Sequence, residues 1–245
     1  MLAIIGGSGL TRLSTLAIAR SEVVPTPYGE ASSALLFGQI GGRDAVFLAR
    51  HGHGHGIPPH RINYRANLWA LKERGATAVL AVATVGGIRG VLPGELLLPH
   101  QIIDYSHGRE ATFFDGGDGG VVHVDFTHPY SAALRVKCLA AAAAGGIALT
   151  DGGVYGAMSG PRLETVAEID RMERDGATVV GMTGMPEAVL ARELELPYAA
   201  IAVVVNHAAG RGDSAAAISM AGIASVLETA MERVRALLER VAPLI

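Results

Sequence analysis

Short apolar runs, closed by glycine-rich or polar loops and in places followed by helical spacing, set the plan of the chain. Leu2–Ile5 is apolar throughout and runs into Gly6-Gly7-Ser8-Gly9, a strand ending in a loop. Ala34–Ile40 and Ala45–Ala49 flank Gly41-Gly42-Arg43-Asp44 as the arms of a hairpin. From Ile62 to Arg74, with Leu68, Trp69 and Leu71, the pattern predicts a helix stopped by Gly75. Ala78–Thr84 reads as a buried strand before Gly86-Gly87. Leu163–Glu173 reads as a helix with Val166, Ile169 and Met172 on one face, and Thr178–Met182 as a strand. Pro186–Leu194 reads as a helix with proline in its favoured first turn. Tyr198–Val205, nearly all apolar, fits a strand buried on both faces. The last helix runs from about Ala216 to Val241, with Leu227, Met231, Val234 and Leu238 three to four apart. Ala140–Ala144 fits a tightly packed helix and Gly116–Gly120 a loop tip. No linker or repeat interrupts this order, so residues 1–245 are expected to form one α/β domain.

Composition narrows the function classes. Half of the 245 residues are apolar, enough to bury a substantial core, and the formal net charge is −3. Without a block of Lys or Arg, binding to a nucleic-acid backbone is not expected. Cys138 is the only cysteine, which removes an internal disulfide and a cysteine-built zinc site. Met1 leads straight into an apolar strand with no charged leader. No apolar run approaches the roughly 18 to 20 residues of a membrane span. A soluble, cytoplasmic protein is expected.

Polar motifs stand at the predicted strand ends, where ligands gather in α/β sheets. Gly6-Gly7-Ser8-Gly9 offers backbone N–H groups and a hydroxyl to an anion, or is a plain tight turn; it lacks the lysine of a P-loop. Arg50-His51-Gly52-His53-Gly54-His55 supplies a guanidinium suited to bidentate phosphate. Its alternating histidines would share a face in a strand and so could bind zinc. The interleaved glycines favour a solvated loop instead, and no metal is expected. Ala83-Thr84-Val85-Gly86-Gly87 places a hydroxyl and open backbone at the next strand end. Thr183, in Gly181-Met182-Thr183-Gly184, sits just before a helix N-terminus, which stabilises anions. Taken singly, each motif also fits a turn or a cap.

Taken in order, the motifs resemble the trimeric purine nucleoside phosphorylase and methylthioadenosine phosphorylase family. The resemblance runs from Ile5-Gly6-Gly7-Ser8-Gly9 through Leu48-Ala49-Arg50-His51-Gly52 and Asn63-Tyr64-Arg65-Ala66-Asn67 to Gly160-Pro161-Arg162-Leu163-Glu164-Thr165. Asn67–Glu73 and Met182–Leu190 extend it. It implies a mixed central β-sheet flanked by helices. It also implies a phosphate site of Ser8, Arg50, His51, Ala83, Thr84 and Thr183. Met182 would then lie against the ribose and Leu163 on the base. Phosphate held below the sugar would stabilise and capture an oxocarbenium-like C1′ as the purine departs, with no metal or organic cofactor.

The resemblance also divides substrates. Its adenine-cleaving members carry aspartate where Asn206 stands, followed here by His207 and Ala208, which depart from that acidic pattern. An amide accepts from N7–H and donates to O6, whereas an ionised aspartate cannot donate. Glu164 accepts from the N1–H of a 6-oxopurine, while adenine N1 is itself an acceptor. Asn206 and Glu164 are therefore the expected catalytic pair at the base, although a strand-end cap and a first-turn helix carboxylate are the bland alternatives. Near the 5′ group the chain offers Ile218-Ser219-Met220 in place of a histidine. Ile218 and Met220 suit a methylthio group, or are simply core positions. His123 matches a residue that family members lend to a neighbour's 5′ pocket, which implies a homotrimer. The substrate expected is 5′-methylthioinosine with inorganic phosphate. Alternatives are a methylthioadenosine phosphorylase, a general inosine or guanosine phosphorylase, a nucleoside hydrolase and a non-catalytic nucleoside binder. The joint presence of Ser8, Arg50 and Thr183 speaks against the last, since binding a nucleoside alone needs no phosphate cradle.

Overall fold

The computed structural model describes residues 1–116 and 120–245; the centre of the loop tip expected at 116–120 lies outside the described residues. Strands β1 (Leu2–Gly6), β2 (Ala17–Glu22), β3 (Leu35–Ile40), β4 (Arg43–Ala49), β5 (Ala78–Gly87) and β6 (Leu96–Leu98) occupy the first part. Then come β7 (Gln101–Asp104), β8 (Thr150–Asp151), β9 (Val154–Ala157), β10 (Val179–Gly181) and β11 (Tyr198–His207). Helices α1 (Tyr64–Glu73), α2 (Ala132–Ala144), α3 (Val166–Arg174), α4 (Gly184–Glu193) and α5 (Met220–Val241) connect them. All strands join one sheet in the order β2-β3-β4-β1-β5-β10-β9-β7, with β11 also on β5 and leading to β6 and β8. Parallel pairs (β1 with β4 and β5, β5 with β11) coexist with antiparallel ones (β3 with β4, β5 with β10), so the sheet is mixed, as expected.

The hairpin expected before residue 50 is present, with Gly41 and Gly42 alone as its turn. Both have positive φ (56° and 73°), as a two-residue turn of this hand requires, so Arg43 and Asp44 join the strand. Alternation then assigns the two faces. Ala3, Ile5, Val46, Leu48, Val79 and Ala81 pack with α1 and α4 residues on one side. Leu2, Ile4, Phe47, Leu80, Ile201 and Val203 pack with α2 and α5 on the other. Cys138 is buried in that second layer, and burial pushes its thiol up to about 12, leaving it a small apolar filler.

Helix starts differ from the periodic reading wherever a cap decides them. Asn63 accepts from the Ala66 amide at 3.0 Å, so α1 begins at Tyr64. The Thr165 hydroxyl accepts from the Glu168 amide and the Glu168 carboxylate accepts from the Thr165 amide, a capping box that starts α3 at Val166. Leu163 and Glu164 therefore lie in the loop before the helix and not in its first turn. Ser219 caps α5 at the Gly222 amide, so residues 216–218 precede the helix. Pro186 does open the regular part of α4, because Met185 before it is extended (φ −119°, ψ 141°).

One edge of β5 is interrupted. There it pairs with β1 only over Ala78–Ala81 and with β10 only over Val180 and Val179, opposite Gly86 and Gly87. The end of β4 brings Arg50 to this gap, where Nη1 donates to the Val82 carbonyl at 2.9 Å. Its Nε and Nη2 donate to the Glu187 carboxylate of α4 at 2.6 and 2.8 Å, and the Tyr198 hydroxyl of β11 donates to the same carboxylate at 2.8 Å. Arg50 and Glu187 are almost wholly buried. Burial alone would lower the guanidinium's pKa, but the facing carboxylate more than offsets this, and the pKa is raised. Removing one partner should leave the other charge stranded. Glu187→Ala is expected to lose about 3–5 kcal/mol of stability, whereas the paired replacement Arg50→Met with Glu187→Leu should lose less. Denaturant unfolding of the three proteins checks this; a Glu187→Ala midpoint equal to wild type contradicts it.

Candidate active site

The broken edge of β5 opens into a cavity of about 640 Å³, within the range of small-ligand sites. Its floor is built from strand ends. The turn after β1 presents Gly7 and Ser8, β4 delivers Arg50 and His51, and β5 supplies Ala83 and Thr84. Thr183, just ahead of α4, closes this side. All six residues expected to hold phosphate therefore line one cavity. Gly7 cannot be replaced without displacement, since a Cβ there would come within 2.6 Å of the Val82 carbonyl and 2.8 Å of Arg50 Nη1.

The polar groups here are spoken for in ways that leave an acceptor and donors for a ligand. His51 is buried, and its Nδ1 lies 2.8 Å from the Ile57 carbonyl, so Nδ1 carries the hydrogen and Nε2 keeps a lone pair. Burial pushes its pKa down to about 4, so the ring is neutral near pH 7. Thr183 caps no amide with its hydroxyl, while its own N–H lies 3.4 Å from the Tyr155 hydroxyl. The Ser8 hydroxyl lies 3.4 Å from His55 Nε2.

The alternating histidines do not share a face. Residues 51–55 form a turn, His55 adopts φ 53°, and His53 is exposed. Rings 51 and 55 lie 4.3 Å apart, and both line the cavity. Among the described residues no group of three or more His, Cys, Asp or Glu is arranged to hold a metal ion.

The same cavity is lined by Leu163, Glu164, Met182, Asn206 and Ala208. Asn206 reaches it through a break in register: Val204 pairs with Val85 and Asn206 with Gly86, leaving Val205 as an extra residue. Such a bulge re-aims the side chains beyond it. The Asn206 Nδ2 donates to the His207 carbonyl at 2.6 Å, which leaves its second N–H and Oδ1 for other partners. Among the described residues Glu164 forms no salt bridge, and Arg162 pairs with Glu168 at 2.7 Å. Burial is the main cause that raises its carboxyl above the usual range.

Other expected residues fall elsewhere. His207 follows Asn206 on the strand and so faces the other way, its ring packed at Gly212 and its Nδ1 3.4 Å from the Asp213 amide. Ile218 precedes the helix and does not line the cavity, whereas Met220 does. Ile223 and Leu227, three and seven positions on, complete the helical stripe above the site. Their spacing was the signal available for them. His123 is exposed and away from the cavity of its own chain. The Gly56–Pro59 stretch carried no periodic signal, and it reaches the cavity with His55 because the turn folds back.

Known proteins share this arrangement of chain. A solved structure of methylthioadenosine phosphorylase from Schistosoma mansoni in complex with adenine superposes with a TM-score of 0.94, covering 99% of this chain and 91% of that one at 30% identity. A probable S-methyl-5'-thioinosine phosphorylase of Pseudomonas syringae pv. tomato is 56% identical over 240 residues, 98% of this chain and 97% of the relative. A 6-oxopurine nucleoside phosphorylase of Pyrococcus furiosus is 46% identical over 215 residues, 85% of this chain and 80% of the relative. The family model described as the phosphorylase superfamily matches residues 1–243. A match of that extent, on a fold whose strand ends converge on one cavity, makes this chain a member of the phosphorylase superfamily.

Proposed function

We propose that the protein catalyses phosphorolysis of 5′-methylthioinosine, giving hypoxanthine and 5-methylthioribose 1-phosphate. The observation that carries this is the cavity that Glu164 and Asn206 share with a floor of Ser8, Arg50, His51, Ala83, Thr84 and Thr183. Inorganic phosphate is the co-substrate and no metal or organic cofactor takes part. Hydrogen phosphate brings both negative charge and one hydroxyl. Arg50 offers N–H groups beyond those spent on Glu187 and Val82, Thr183 offers its hydroxyl, and the neutral His51 accepts from the phosphate hydroxyl through Nε2. The phosphate oxygen then bonds to C1′ as the C1′–N9 bond breaks, and the electron pair passes into the purine. Asn206 donates through Nδ2 to O6, where that charge gathers. N7 takes up, by way of solvent, the proton that phosphate gives up, and its N–H is then held by the Asn206 Oδ1. The Glu164 carboxylate accepts from N1–H and holds the base in place.

The 5′ end fits an apolar group. Met220, Ile223 and Leu227 line the cavity from α5, without a hydroxyl or charge among them. Met220 is 68% exposed and Leu163 43% exposed, which suits apolar groups awaiting a ligand or a neighbouring subunit. The protein works as a homotrimer in the cytoplasm, with His123 of each chain reaching the neighbour's 5′ pocket. Among the described residues no helix is long and apolar enough to cross a membrane.

Three outcomes test this reading. Turnover of methylthioinosine should require phosphate and exceed that of methylthioadenosine and inosine in kcat/KM. A mismatched purine set against a carboxylate can be rejected by roughly 10⁴-fold. Asn206→Asp should lose 6-oxopurine turnover and, combined with Glu164→Ser, gain 6-aminopurine turnover. A wild type that prefers methylthioadenosine, or variants with an unmoved ratio, sinks the base assignment.

The second outcome is an acid limb. Glu164 accepts from N1–H only when ionised, and its pKa is raised, so kcat/KM for methylthioinosine should be full above that pKa and fall as pH drops through it. The limb should lie above the range of an ordinary glutamate and vanish in Glu164→Gln; an unchanged limb in that variant assigns it to another group.

Third, the mass in solution should be three times that of the 25.3 kDa chain. A fully active monomer contradicts the trimer.

A further inference from the structure

Arg109 stands between β7 and α2, outside every motif singled out from the sequence. Its Nη1 donates to the Met182 carbonyl at 2.8 Å and also to that of Met185. Its Nη2 donates to the carbonyls of Ser159, at 2.7 Å, and Met158, at 3.3 Å. The Tyr64 hydroxyl lies 3.4 Å from Nη1 and the Tyr64 ring 5.4 Å from the guanidinium carbon. These partners are main-chain carbonyls and a phenol, not carboxylates. Among the described residues its Nε is buried and has no hydrogen-bond partner.

The carbonyls it binds belong to irregular backbone. Thr183 (φ −127°, ψ −8°) and Met185 (φ −119°, ψ 141°) are both non-helical, so this segment is held by no helical ladder of its own. Buried carbonyls without partners are costly, and a planar fork holds two segments in a fixed geometry that a freely rotating ammonium does not impose. One segment carries Met182 and Thr183, which line the cavity; the other, Met158-Ser159, leads through Gly160 into Leu163 and Glu164.

We propose that Arg109 is a positioning residue for phosphorolysis: by bonding the carbonyls on either side of Thr183, and tying that segment to Met158-Ser159, it sets the Thr183 hydroxyl against the phosphate. The inference rests on the cavity being the phosphate and nucleoside site argued above. Its side chain touches no reacting atom, and its effect is transmitted by the backbone. A displacement of about 1 Å in such a group can cost roughly 100-fold.

The test is steady-state kinetics, with phosphate and methylthioinosine each varied, in wild type, Arg109→Met and Arg109→Lys. Thr183→Ala sets the scale for losing the hydroxyl itself. Arg109→Met should raise KM for phosphate by roughly 10- to 100-fold and lower kcat, with a smaller change in KM for the nucleoside. Arg109→Lys, which retains charge but not the fork, should fall between it and wild type. A purely structural role would reduce the folded fraction and apparent kcat while KM for phosphate stayed at the wild-type value. That result in either variant overturns the proposal. If Arg109→Met does not fold, Arg109→Lys decides by the same criterion. If wild type turns the nucleoside over without phosphate, the proposed function fails and not the placement of Arg109.

Discussion

Arg50 and Glu187 face each other beneath the cavity floor, and the arrangement of four elements depends on that pair. Arg50 ends β4, Glu187 lies on α4, Val82 belongs to β5 and Tyr198 opens β11. The guanidinium and its carboxylate together join all of them where β5 lacks a strand neighbour. Burying two charges is expensive, and their attraction offsets it only if every remaining polar atom is bonded. Tyr198 and the Val82 carbonyl meet part of that demand, and one N–H each on Nη1 and Nη2 of Arg50 is left for a ligand. Burial pushes the Tyr198 hydroxyl well above its usual pKa, so it stays a donor to the carboxylate. The guanidinium is thus fixed before any ligand arrives, and an anion meets donors that need no rearrangement.

Charge on the floor is accordingly sparing. The carboxylate of Glu187 balances Arg50, and His51 is kept neutral by burial. Under the proposed function, phosphate would be held here through directed hydrogen bonds more than through net charge. That would suit a reaction in which negative charge passes from phosphate to the purine, since a strongly cationic floor would hold it back. In the same cavity the carboxylate of Glu164 and the amide of Asn206 offer different hydrogen-bond roles, an acceptor and a mixed group. Under the proposed function, that pairing would distinguish purines by the hydrogen-bonding pattern of their edges.

The two halves of the cavity come from distant parts of the chain and meet because of two local irregularities. The bulge at Val205 aims Asn206 inward and sends His207 out. The capping box at Thr165 starts α3 late enough to leave Leu163 and Glu164 on a loop. Either device moves a side chain by a whole position, and both lie beside residues that face the cavity.

Much of this was legible in the chain itself. Apolar runs such as Leu2–Ile5 and Tyr198–Val205 are local in origin, because an unbroken apolar run of strand length bounded by turn residues marks a buried strand. The floor residues Ser8, Arg50, Thr84 and Thr183 could be named for a related reason: each follows or ends a strand, and strand ends converge in an α/β sheet. The short strands β6 to β9 escaped notice, since two to four residues carry too little pattern to separate from a loop. Tertiary structure alone decided what depends on atoms far apart in sequence. It showed Arg50 bonded to Glu187 across 137 positions, Ile223 and Leu227 over the cavity where Ile218 was expected, and Arg109 gripping carbonyls 49 to 76 positions away. Sequence periodicity reports which face a residue occupies on its own element. Which carbonyl or carboxylate a buried guanidinium meets is settled only when the elements pack.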